Sequence, residues 1–118
     1  MLFRSLSTGM ATIEEIEDAV TALRTERCEK FVLLRCTSAY PSTESDANIV
    51  TIPAVRARFD CQVGLSDHCL SPYPAYTAVA HGATVIEKHL TLRRADGGLD
   101  APFSIEPPQL KEIGRAHV

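Results

Sequence analysis

Hydrophobic positions fall into two rhythms along this chain. Thr12–Glu15 reads TIEE, the form of a capping box, with Thr as N-cap and Glu three residues on. Ile13, Ile16, Val20 and Leu23 recur at helical spacing and predict a helix over Ile13–Glu26. Phe31–Cys36 (FVLLRC) is instead a continuous β-rich run bounded by polar residues, which predicts a buried strand. A shorter apolar segment, Leu2–Leu6, precedes the helix and is interrupted by Arg4. TSAYPSTESD, residues 37–46, is loop by composition. Ile52, Val55 and Phe59 predict a second helix, in which Pro53 is tolerable only in the first turn. CQVGLS, residues 61–66, predicts a strand; Pro74–His81 predicts a short helix closed by Gly82. TVIEKHL, residues 84–90, predicts a fourth strand. Leu92–Ser104 reads as a polar loop, and Pro107 opens a last helix.

Strands alternating with helices imply parallel pairing through crossovers. Such strands are covered on both faces, so they read as unbroken apolar runs. An open doubly wound sheet and part of a (β/α)8 barrel both fit this order. The nucleotide-binding patterns GxGxxG and GxxxxGKS/T are absent from the sequence.

The ends of the strands narrow the picture. Each is followed at once by small hydroxyl or ionisable residues: STGM after the first, CTSAYP at the second, LSDH at the third, EKH at the fourth. The carboxyl ends of parallel strands are where α/β proteins build active sites. His68 and His89 end successive strands, and neighbouring strands run about 4.8 Å apart. Two imidazoles at one rim can share a divalent metal, with Asp67 and Glu87 as candidate orienting partners. A single strand-end histidine is ordinarily just a satisfied polar residue, so the pairing is the signal. Ser7, Thr8 and the Gly9 backbone suit an anion, or form only a tight turn. His81 and His117 belong to no such pattern.

Composition excludes several other classes. The chain has 118 residues, room for one ordinary domain. Its formal net charge of −3 and lack of a basic stripe argue against nucleic-acid binding. No apolar run reaches the roughly 20 residues of a membrane span, and no signal-peptide core is visible, so a cytoplasmic location is expected. Cys28, Cys36, Cys61 and Cys69 form no CxxC pair. Buried reduced thiols are expected at Cys36 and Cys61.

Taken together, STGMAT, LLRCTSAYP, DANIVTIP, VGLSDH, VIEKHLTL and FSIEP resemble, in this order and spacing, one enzyme family. These are the phosphoenolpyruvate-condensing synthases of nine-carbon sugar acids: the sialic, pseudaminic and legionaminic acid synthases. CTSAYP and RRADGGLDAPFSIEP look most similar to the pseudaminic branch. The resemblance runs from Ser7 to about Lys111. It implies a (β/α)8 TIM barrel of which residues 1–112 supply the C-terminal half, strands five to eight. The first four strands with their phosphate-binding lysines, and a trailing antifreeze-like domain, would lie outside the chain. The last six residues, IGRAHV (113–118), read as a translated sequencing-adapter end and are expected to break the final helix.

By the same resemblance, His68 and His89 are the catalytic metal ligands, for manganese or magnesium. Ser7, Ser38 and Ser66 match phosphoenolpyruvate-binding positions; Tyr40 and Asp100 match sugar-binding ones. The implied partners are phosphoenolpyruvate and an open-chain N-acetylated amino sugar, in a homodimeric parent enzyme. The implied reaction joins them into a nine-carbon sugar acid and releases phosphate. A metal-dependent barrel aldolase or isomerase acting on another sugar is the competing enzyme class. A fragment inactive by itself, with an exposed inward sheet face, is the non-enzymatic one.

Overall fold

The computed structural model describes residues 3–115. The four strands are β1 (Arg4–Ser7), β2 (Phe31–Cys36), β3 (Gln62–Asp67) and β4 (Ile86–Lys88). Between and after them run α1 (Ile13–Thr25), α2 (Ile52–Phe59), α3 (Tyr73–Ala80) and α4 (Pro107–Arg115). All pairings are parallel, and the strand order in space, β1-β2-β3-β4, is the order in sequence. The sheet is curled into a half-barrel.

The capping box of α1 forms as its sequence dictates. The Thr12 N–H donates to Glu15 Oε2 at 2.8 Å, and the Glu15 N–H returns to Thr12 Oγ1 at 3.3 Å. From α1, Ile16 and Val20 pack on Phe31, Leu33 and Phe59. Ile49 and Ile52 pack on Val63, Leu65, Ala78 and Ala83. The odd-numbered residues of β2 and β3 therefore face the helices. By alternation, Val32, Leu34, Gly64 and Ser66 face inward.

That inward face is less open than a half-barrel suggests. Val32, Leu34 and Cys36 are all buried, counter to the expected exposure. The reason lies at Gly64. A Cβ there would collide with the Val85 carbonyl, and would sit 2.8 Å from Leu34 Cδ2 and 3.0 Å from Val85 Cβ. The missing side chain lets Leu34 and Val85, the residue just before β4, close over the concave face at that point. The large apolar side chains that stay exposed, including Phe3, Leu90, Leu92 and Leu110, lie off the strands.

Three stretches differ from expectation. The loop over residues 37–46 and its continuation contain two 3-10 turns, Glu44–Ala47 and Ile49–Thr51, which deliver the chain into α2. β4 is three residues long, not seven. Past Lys88 the chain leaves β3 and pairs with the segment before α4: the Ile105 N–H donates to His89 O, and the Thr91 N–H to Ile105 O, each at 2.9 Å. Finally, the helix expected to break at Ile113 continues through Arg115, because Ile113 is buried against Ala75 and Ile105. Residues 116–118, His117 among them, lie outside the described residues.

Candidate active site

The last residues of β3 and β4 form a ladder of matched pairs. Ser66 is in register with Glu87, and Asp67 with Lys88. Ser66 Oγ donates to Glu87 Oε1 at 2.6 Å on the inward face. Asp67 and Lys88, one position on, point the other way. Lys88 Nζ lies 2.9 Å from Asp67 Oδ2, and the two side chains are 3% and 1% exposed. His68 and His89 come next, each the first residue beyond its strand. Their ring centroids are 5.4 Å apart, with the planes at 61°.

Each imidazole turns its Nδ1 toward an oxygen, and only His68 is within hydrogen-bond distance of it. His68 Nδ1 lies 2.9 Å from the Thr37 carbonyl oxygen. A carbonyl can only accept, so Nδ1 carries the proton and Nε2 keeps its lone pair. His89 Nδ1 faces Asp100 Oδ2 at 3.6 Å. Thr37 and Asp100 are thus the groups that face the two rings. Asp67 and Glu87, expected in that role, are engaged with Lys88 and Ser66 instead, because strand alternation aims Asp67 away and register pairs Glu87 with Ser66.

Aromatic rings flank the two imidazoles. Tyr40 stacks on His68 with centroids 4.2 Å apart and lies 5.3 Å from Phe103. Phe103 meets the His89 ring edge-on at 4.9 Å. The polar loop over Leu92–Ser104 is therefore not wholly solvated. Its 3-10 turn Ala101–Phe103 brings Asp100 and Phe103 to His89. A cavity of about 300 Å³ opens beside Ser66, Glu87, Lys88 and His89.

Neighbouring groups are held in their neutral or charged forms by simple causes. Burial pushes the Cys69 thiol up, so it stays protonated where its Sγ meets the Ser42 hydroxyl at 3.3 Å. Hydrogen bonds from Thr43 hold the Asp46 carboxyl below its usual range. All four cysteines are free; Cys36 and Cys69 are buried, while Cys61 and Cys28 are half-buried.

This geometry can be set beside known proteins. The NeuB family model matches residues 5–117. The chain belongs to the NeuB family. It is 40% identical over 110 residues to the N,N'-diacetyllegionaminic acid synthase of Campylobacter jejuni, covering 92% of this chain and 33% of that protein. It is 38% identical over 108 residues to a pseudaminic acid synthase of the same species, covering 92% and 32%. Among solved structures, the N-acetylneuraminic acid synthetase of Leptospira borgpetersenii superposes with a TM-score of 0.92 at 37% identity, covering 98% of this chain and 40% of that one. The chain spans about a third of the length of the curated relatives it matches.

Within this NeuB-family chain the expected site residues divide into two groups. His68, His89, Tyr40 and Asp100 come together at the rim of β3 and β4. Ser66 joins them through Glu87. Ser7 and Ser38 sit farther along the sheet. Ser7 ends β1, in register with Leu34, and Ser38 Oγ abuts the turn at Gly9, 3.3 Å from where a Cβ would lie. Sequence reading missed Phe103, the Thr37 carbonyl and the Asp67–Lys88 pair. The pair alone had a legible signal, since SDH and EKH place an acid and a base one step before each histidine.

The donor set fits a divalent ion held by two imidazoles. Among the described residues no group of three or more histidine, cysteine or carboxylate ligands converges. Two borderline imidazole nitrogens, from rings 5.4 Å apart, suit an ion whose other positions go to water and substrate. Their spacing allows metal–nitrogen bonds of about 2.1 Å to one centre.

Proposed function

We propose that the protein carrying this chain condenses phosphoenolpyruvate with an open-chain N-acetylated amino sugar, giving a nine-carbon sugar acid and phosphate. The observation that carries the reading is the His68–His89 pair. Both rings end parallel strands of one half-barrel, both turn Nδ1 toward an oxygen, and the FSIEP segment folds back against His89.

A manganese or magnesium ion held by His68 and His89 would supply Lewis-acid polarisation of the aldehyde. The chain's own residues bind, orient and position the substrates. Thr37 orients the His68 ring and fixes its tautomer. Tyr40 and Asp100 meet sugar hydroxyls at the rim, where both are exposed. Holding the aldehyde carbon against the methylene carbon of phosphoenolpyruvate turns the bond-forming step into an effectively unimolecular one. Tyr40 and Phe103 set apolar ring surface beside the two imidazoles. Ser7 and Ser38, exposed beyond the histidines, receive the anionic end of phosphoenolpyruvate. Ser66 can join them only by turning its one proton away from Glu87.

No helix among the described residues is long and apolar enough to cross a membrane, in keeping with a proposed cytoplasmic enzyme on small-molecule substrates. The parent enzyme is proposed to work as a homodimer. The legionaminic and pseudaminic relatives stand within two points of identity, 40% and 38%. Both belong in the substrate panel for that reason. The test is phosphate release by the full-length protein. Release is expected only when phosphoenolpyruvate and an N-acetylated amino sugar are both present. Turnover of a phosphorylated sugar without phosphoenolpyruvate would replace this reading with an aldolase or isomerase.

A further inference from the structure

We propose that the buried Asp67–Lys88 ion pair is a positioning pair that aligns the two imidazoles for one ion. The proposal deepens the reading above and rests on His68 and His89 as the metal-holding residues.

The pair grips the backbone directly after His68. Asp67 Oδ2 takes Lys88 Nζ at 2.9 Å, while its Oδ1 accepts the Cys69 N–H at 2.9 Å. Lys88 Nζ also donates to the Cys69 carbonyl. The two peptide groups on either side of Cys69, the first of them joining it to His68, are thereby tied to the ion pair and through it to a side chain on β4. That side chain belongs to Lys88, the residue directly before His89. One buried contact therefore couples the direction in which both histidines leave their strands. The remaining hydrogen-bonded anchors act on one histidine each: the Thr37 carbonyl and the Ser42 N–H on His68, the Ile105 N–H on His89.

Energetics argue that this pair is not there for stability. Two ions taken almost wholly out of water lose hydration that their mutual attraction seldom repays, and an apolar pair of like volume often serves as well. Lys88 borders the cavity beside His89, but its ammonium is spent on Asp67 and the Cys69 carbonyl on the sheet face opposite the Ser66 and Glu87 side chains, so the pair acts through the histidines and is a positioning pair. Its one distinctive property is its place, in register and one residue before each of the two histidines.

The experiment compares the full-length wild-type protein carrying this chain with its neutral double variant Asp67→Asn/Lys88→Met. Histidine side-chain 1H–15N spectra of the metal-free proteins report the tautomers, manganese titration followed by electron spin resonance reports affinity, and thermal melts report folding. The expected result is a cooperative melt, loss of the single Nδ1–H form at His68, and manganese affinity at least about tenfold weaker. A double variant with wild-type tautomers and wild-type manganese affinity overturns the proposal, whatever its melt. If the double variant does not fold, Asp67→Asn alone is read in the same way, since it keeps the shape and an acceptor for Cys69. If the wild type binds no manganese, the metal reading fails, and the tautomer spectra still decide whether the pair positions His68.

Discussion

Ser66 and Glu87 share a hydrogen bond of 2.6 Å across the β3–β4 register, so the only proton of Ser66 is committed to a carboxylate. Ser66 is also a proposed phosphoenolpyruvate contact. In the full-length enzyme, Ser7→Ala and Ser66→Ala should each raise the KM for phosphoenolpyruvate about tenfold and leave that for the sugar nearly unchanged, as loss of one hydrogen bond to a charged group, about 1.5–3 kcal/mol, predicts. Steady-state kinetics with each substrate varied in turn checks this. Equal effects on both constants would show that these hydroxyls only shape the rim.

His89→Ala should abolish turnover of the full-length enzyme and leave its melt almost unchanged, because His89 is partly exposed. His68→Ala should abolish turnover and also destabilise the fold. Both histidines end strands, yet only His68 is buried, at 5% exposure, with its ring bonded to Thr37. Parallel melts and assays separate the two. Full turnover by a chelator-treated His89→Ala protein would remove the metal from the mechanism.

Gly64→Ala should destabilise the chain by about 1–3 kcal/mol, the usual range for overpacking a core. The new methyl would strike the Val85 carbonyl, which is backbone and cannot swing aside. Urea denaturation of the two proteins measures the difference. An unchanged midpoint would mean that β4 is not pressed against β3 at this point.

The outer edges of β1 and β4 carry no strand partner among the described residues. Unpaired edges of a parallel sheet invite pairing with another chain. The 118-residue chain by itself should therefore self-associate and show no synthase activity. Size-exclusion chromatography with light scattering, alongside the phosphate assay, tests both parts. A monomer with a cooperative melt would show that the four β/α units form a self-sufficient sheet.

Local signals in the sequence were enough for the elements and for their order. The capping box at Thr12, the FVLLRC run and the helical spacing of Ile13 to Leu23 act within a few residues, so they read directly as α1 and β2. The repeated strand-histidine pattern, 21 residues apart, likewise placed His68 and His89 at neighbouring strand ends. Boundaries set by distant partners were not legible. β4 is short because the segment after Lys88 pairs with Ile105, and α4 reaches Arg115 because Ile113 finds Ala75. Nor could spacing say what each side chain would touch. Asp67 and Glu87 stand beside the histidines in sequence, yet alternation and register hand them to Lys88 and Ser66. The rings instead face Thr37, 31 residues from His68, and Asp100 on a returning loop. Phe103 reaches His89 by that same loop. Such contacts depend on the curl of the sheet and the path of the return segment, and these exist only once the strands have packed.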